Sequence, residues 1–116
     1  MATTPVIVSC WLDPPLINDF TIGASVTWNA SFIDRVSRVL VDPDIVIFTY
    51  SNPPVTTPVA VTYPVLIVRD TTGQYHLDLP LTTTGRWVLN VIAQGNPGAV
   101  QIGSTTLMIT VYSAGL

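Results

Sequence analysis

His76, Cys10 and a scatter of aspartates are the side chains with reactive chemistry to offer. His76 is the only histidine among 116 residues. It stands on the polar side of an alternating run, between Tyr75 and Leu77, with Asp78 two residues on and on the same face of an extended chain. Such a pair could orient a general base, but no Ser or Cys is placed beside it by a recognisable motif. The expectation is an exposed or sheet-packed histidine. Cys10 is the single cysteine and sits among Val8, Trp11 and Leu12, the setting of a small, inert core residue. Asp42 and Asp44 flank Pro43, and Asp70 or Asp13 could approach them at one end of a fold. Calcium loops place ligands at alternating positions of one Asp-rich segment, whereas Asp before Pro or before a strand is ordinary turn chemistry. Asn29-Ala30-Ser31 matches a glycosylation acceptor but lies inside the clearest strand pattern, so it reads as coincidence. No phosphate-cradling Gly-rich loop, HExxH or GxSxG is present. The expectation is a non-enzyme with no catalytic residue, no metal and no cofactor.

The elements that would position these groups are strands. Val26, Trp28, Ala30 and Phe32 alternate with Ser25, Thr27, Asn29 and Ser31, giving one apolar and one polar face. Tyr75, Leu77 and Leu79 repeat the pattern, and Pro80 ends it by removing a ladder donor. Trp87, Leu89, Val91 and Ala93 line one face of a run whose other face mixes Arg86, Val88, Asn90 and Ile92, which suits a central strand. Leu107, Ile109 and Val111 alternate in the last run, and Val6 to Leu12, Ile45 to Tyr50 and the shorter Pro64 to Arg69 complete the set. Turn residues divide them, among them Asp13-Pro14-Pro15, Asp42-Pro43-Asp44, Asp70-Thr71-Thr72-Gly73 and Gln94-Gly95-Asn96-Pro97-Gly98. Ala30 to Val41 reads as a strand end followed by a loop, with room for one helical turn at Ile33, Val36 and Leu40. About seven short strands close most economically as a two-sheet antiparallel sandwich, with Trp28, Phe32, Tyr75, Leu77, Trp87, Leu89, Leu107 and Ile109 in its core.

Composition narrows the class further. Charged residues are 9% of the chain against 48% apolar, and the net charge is -3. All acids are Asp and all bases are Arg, so the Glu and Lys that solubilise exposed helices are missing. Four scattered Arg make no phosphate-binding stripe, which argues against nucleic acid. Met1 to Pro5 lacks the basic start of an export signal, and no apolar run approaches the roughly 20 residues needed to cross a bilayer. A single cysteine suits a reducing compartment. The expectation is one domain over 1–116, with 1–5 as an N-terminal arm and 52–64 as a Pro- and Thr-rich extended insertion, and no membrane partner.

Gly23-x-x-Val26-x-Trp28-x-Ala30-x-Phe32, then Asp42-Pro43-Asp44-Ile45-Val46, then Arg69-Asp70-x-x-Gly73-x-Tyr75-His76, then Gly85-x-Trp87 form an ordered series over about Gly23 to Val111. The series resembles the immunoglobulin-like β-sandwich domains of tailed-bacteriophage structural proteins. The resemblance implies an immunoglobulin-like antiparallel β-sandwich of about seven strands; the single cysteine departs from the family pattern, since it leaves no cysteine pair between the sheets. It also implies a virion structural protein, foremost a head decoration (cement) subunit that stabilises the capsid by protein–protein contact after assembly in the host cytoplasm. Its implied partners are the major capsid protein or other virion subunits, together with copies of itself. A tail or neck component is the close alternative. A carbohydrate- or receptor-binding module is the other, with Trp11, Tyr50, Tyr63 and Tyr112 as stacking surfaces.

The stretch from Ser51 to Val68 carries no charge at all. Pro53, Pro54, Val55, Pro58, Val59, Val61 and Tyr63 within it form the candidate interface. Proline there restricts the free chain and removes donors, so the segment reads as an arm laid across a neighbour, with a solvent loop or edge strand as the alternative.

Overall fold

The computed structural model describes residues 5–13, 19–23, 25–51, 57–95 and 100–112. Nine strands are present among them: β1 Val6–Asp13, β2 Asp19–Thr21, β3 Ser25–Asp34, β4 Ile45–Ser51, β5 Val59–Thr62, β6 Val68–Thr71, β7 Gln74–Pro80, β8 Gly85–Gly95 and β9 Val100–Tyr112. They form a four-stranded sheet in the order β1-β3-β7-β6 and a five-stranded sheet in the order β2-β9-β8-β4-β5. All pairings are antiparallel except β2 with β9. The arrangement is an immunoglobulin-like sandwich: β1, β3, β7 and β6 stand in the order of strands A, B, E and D, and β9, β8 and β4 in the order of G, F and C.

The period-two pattern decides which faces meet. Val26, Trp28, Ala30 and Phe32 of β3 and Tyr75, Leu77 and Leu79 of β7 turn inward from one sheet. Val46 and Phe48 of β4, and Trp87, Leu89, Val91 and Ala93 of β8, turn inward from the other. Burying each large apolar side chain contributes roughly 1.5–3 kcal/mol, and an aromatic pair joins the two sheets. The rings of Trp28 and Phe48 lie 4.7 Å apart between centroids, tilted by 55°. Gly103 of β9 faces β1 so closely that a Cβ there would sit 2.5 Å from the Val6 carbonyl oxygen.

The observed set exceeds the expected seven strands because two short ones are added at the edges. β2 spans three residues. β5 lies within the Pro- and Thr-rich segment: Val59–Thr62 is hydrogen-bonded along β4, so this part is an edge strand of the chain's own sandwich and not a free arm. Pro53, Pro54 and Val55 lie outside the described residues, as do residues 1–4 of the expected N-terminal arm. The seventh expected strand, Pro64 to Arg69, starts only at Val68, because Leu66 takes a left-handed φ of 60° that no ladder accommodates. Leu107 is half-buried where full burial was expected. Its neighbour β2 pairs only with Thr110 to Tyr112, so beside Leu107 β9 is the open edge among the described residues.

Candidate interface

Asp42 organises one end of the sandwich. It lies in the β3–β4 loop, next to Pro43, which is buried. Its carboxylate accepts hydrogen bonds from three other segments. Arg69 of β6 donates through Nε and Nη2, at 2.9 Å for the closer contact. The Gly73 N–H in the β6–β7 turn donates at 2.8 Å, and the Tyr75 hydroxyl of β7 at 2.9 Å. Partial burial works against ionisation of Asp42, but these donors outweigh it and hold the carboxyl below the usual carboxylate range. The same carboxylate keeps Arg69 more firmly protonated. Burial first, and then the hydrogen bond to Asp42, push the Tyr75 phenol well above its ordinary value.

Gly73 is required for this geometry. Its φ is +74°, and a Cβ there would come within 2.9 Å of the carbonyl oxygens of both Phe32 and Val41. The Tyr75 ring meets Phe32 edge-on, with centroids 5.5 Å apart, and also Tyr63 edge-on, at 5.2 Å. Tyr63 opens the β5–β6 crossing, so this crossing and the β3–β4 loop are both tied to the same hub.

Both segments carry aliphatic side chains outward. In the β3–β4 loop, Asp34 Oδ1 accepts from the Val36 and Ser37 N–H groups at 2.8 Å, which holds its carboxyl below the usual range. Arg38 takes a φ of 65°, and Val41 N–H returns to the Phe32 carbonyl. This closes the ambiguous stretch as a tight turn without a helix. It leaves Val36 79% exposed, with Val39 and Leu40 also exposed. In the crossing, Tyr63 N–H bonds to the Val46 carbonyl and Val65 N–H to the Thr62 carbonyl. Leu66 is 74% exposed, and Val65 beside it is exposed as well. Water gains nothing from aliphatic groups held out in this way.

The residues expected to form an interface divide. Pro58 and Val59 are exposed, Val61 is partly buried against the core, and Tyr63 is exposed at its rim while packing on Tyr75. Of the expected core, Trp28, Phe32, Tyr75, Leu77, Trp87, Leu89 and Ile109 are buried. Of the aromatics considered for stacking, Trp11 and Tyr112 are exposed, whereas Tyr50 is half-buried and stacked on Trp87 at 6.0 Å.

The reactive groups are dispersed. His76 Nδ1 lies 2.8 Å from Asp70, one strand over, while Asp78 receives the Thr27 hydroxyl at 3.4 Å. The carboxylate partner of His76 is thus Asp70, not Asp78. Burial pushes the Cys10 thiol up, and the Trp28 indole N–H works weakly the other way. That indole nitrogen is itself fully buried without a conventional hydrogen-bond partner. Among the described residues no group of three or more His, Cys, Asp or Glu gathers to hold a metal.

In comparisons with known proteins, no family model and no curated protein matches the chain.

Sequence reasoning missed the Asp42 hub and the outward loops. Asp42-Pro43 and Arg69-Asp70 were visible, but their pairing spans 27 residues. Ile33, Val36 and Leu40 had the spacing of a buried helical face, which disguised two outward residues.

Proposed function

We propose that this chain is a non-catalytic structural subunit that works by protein–protein contact, foremost as a head decoration subunit of a phage virion. The observation that carries the reading is the pair of tied-down loops presenting Val36, Val39, Val65 and Leu66 to solvent. Loops ordered before contact lose little conformational freedom on docking, and exposed aliphatic side chains suit the centre of an interface, with the exposed Arg35 and Arg38 beside Val36 suiting its polar rim. The sequence resemblance supplies the class of partner, the major capsid protein or other virion subunits, with a tail or neck position as the close alternative. Such a subunit adds interface area across capsomer junctions and so resists internal pressure.

The test is the copy number of the chain in gradient-purified virions, measured by quantitative mass spectrometry. A fixed ratio to the major capsid protein is expected, and a Val65→Ser, Leu66→Ser variant should lose it while keeping its melting temperature. A chain found only in the unassembled fraction would sink the reading, and co-purification with tails alone would move it to the alternative.

A second reading, a carbohydrate-binding module, draws on Trp11. This ring is 46% exposed on the outer face of the four-stranded sheet. It stands in register with Asn29 and, one strand further, His76. A stacking plate beside two hydrogen-bonding side chains is the chemistry of a sugar site. Saturable binding on a glycan panel, abolished by Trp11→Ala, would favour it over the structural reading.

A further inference from the structure

The outer face of the four-stranded sheet is a grid set by register. Trp11, Asn29 and His76 stand in one row across β1, β3 and β7, and Asp13, Thr27 and Asp78 stand in the row beside it. β1, β3 and β7 hold no Arg or Lys, and Arg69 of β6 is turned to Asp42. Trp11 is thus the one large apolar surface in these two rows, and the formal charges around it are carboxylates.

The hydrogen-bonding groups of the Trp11 row are held from within, and each keeps an atom unspent. Asn29 Nδ2 donates to the Thr27 carbonyl at 3.2 Å, which fixes the amide and leaves its Oδ1 without a partner among the described residues. His76 Nδ1 lies 2.8 Å from Asp70 Oδ1 and 2.9 Å from Oδ2. A carboxylate only accepts, so Nδ1 carries the hydrogen and Nε2 is the atom left for a ligand. The carboxylates are less available, because Asp70 is spent on His76 and Asp78 accepts from the Thr27 hydroxyl.

We infer, resting on the carbohydrate reading above, that this row binds an uncharged sugar chain laid across the strands and turns away acidic ones. The flat side of one pyranose stacks on Trp11, and the hydroxyls of the next meet Asn29 and His76. Trp11 and His76 are separated by two strand spacings of about 4.8 Å each, the length of a disaccharide. Asp13, Asp70 and Asp78, with no base on the face to offset them, repel the carboxylate of an acidic sugar. A dry protein contact would bury Asn29 Oδ1 and His76 Nε2 unmet, whereas sugar hydroxyls and bridging waters satisfy both. A cationic peptide would find, of the three carboxylates, only Asp13 not already engaged among the described residues. The row is separate from the loops assigned above to the particle.

Isothermal titration calorimetry of the purified full chain tests the inference. The probes are homo-oligomers of glucose, mannose, galactose and N-acetylglucosamine, homo-oligomers of galacturonate of the same lengths, and a hexa-arginine peptide. Saturable binding to at least one uncharged series is expected, with affinity rising from one unit to two, and with galacturonate at least about tenfold weaker because of like-charge repulsion. Trp11→Ala should abolish binding and Trp11→Tyr should keep most of it, both at an unchanged melting temperature. His76→Ala should leave the single sugar bound as before and remove the gain from the second unit, which a merely structural role would not do. Binding to no sugar at all, uncharged or acidic, would sink the inference together with the carbohydrate reading. Acidic oligomers bound as tightly as uncharged ones, or sugar binding indifferent to Trp11 and His76, would overturn the inference while leaving that reading standing. Preference for the arginine peptide over every sugar would overturn it in favour of a cationic partner.

Discussion

The Tyr75 hydroxyl donates to Asp42 Oδ1 at 2.9 Å, joining residues 33 apart in sequence. Through that bond a buried aromatic of β7 is coupled to the loop that enters β4, and Tyr63, edge-on to the same ring, couples the β5–β6 crossing to the same point.

Removing the Asp42 carboxylate should loosen both segments. Asp42→Ala leaves the Tyr75 hydroxyl and the Gly73 N–H without their acceptor, and the expected loss is about 2–3 kcal/mol. The Arg69 ion pair is part-exposed on both sides and screened by water, so it contributes little of that. Because the folded carboxyl is held below its unfolded value near 3.9, its contribution is complete above that pH and is lost as pH falls through the folded value. Denaturant titrations across the acid range should show this limb in the wild type and a shallower one in Asp42→Asn, with Asp34 supplying part of what remains.

Alkaline conditions act through Tyr75 with the opposite sign. Its phenol is raised in the fold, so the contribution is whole below the unfolded value near 10 and is lost as pH climbs toward the folded one. Stability should decline above about pH 10, and Tyr75→Phe should remove that component of the decline. Tyrosinate absorbance that shows Tyr75 ionising in the still-folded chain near its ordinary value would contradict this.

Gly73→Ala is expected to cost about 2 kcal/mol or more, since the methyl meets two carbonyl oxygens in a backbone conformation unfavourable to any L side chain. Chemical denaturation measures the loss. A drop of only a few tenths would show that the turn can rearrange.

Truncation at the joint between the sheets should be worse. Phe48 is fully buried against Trp28, and Phe48→Ala should lower stability by about 3–5 kcal/mol.

Cys10 should react slowly with a thiol reagent in the folded chain and quickly in denaturant, because burial disfavours the thiolate that attacks. Fast labelling of the native protein at neutral pH would contradict the environment described for it.

Alternation in β3, β7 and β8 was legible from residue types alone, because the pleat sends neighbours to opposite sides whatever the strand pairs with. Val26 to Phe32 and Trp87 to Ala93 therefore showed their buried faces before any partner was known, and Asp70 to Gly73 showed its turn. Partnership was a tertiary matter, since it depends on which segments the closing core brings side by side. Only the assembled sheets gave His76 its contact with Asp70, drew Val59–Thr62 onto β4 as an edge strand, and left Leu107 partly open beside a short β2. The same pairing gathered Arg69, Gly73 and Tyr75 around one carboxylate. It also aligned Ile47, Ile92, Val88 and Met108 on a face almost free of charge, because the side a residue faces is local while the company it keeps there is set by register across strands.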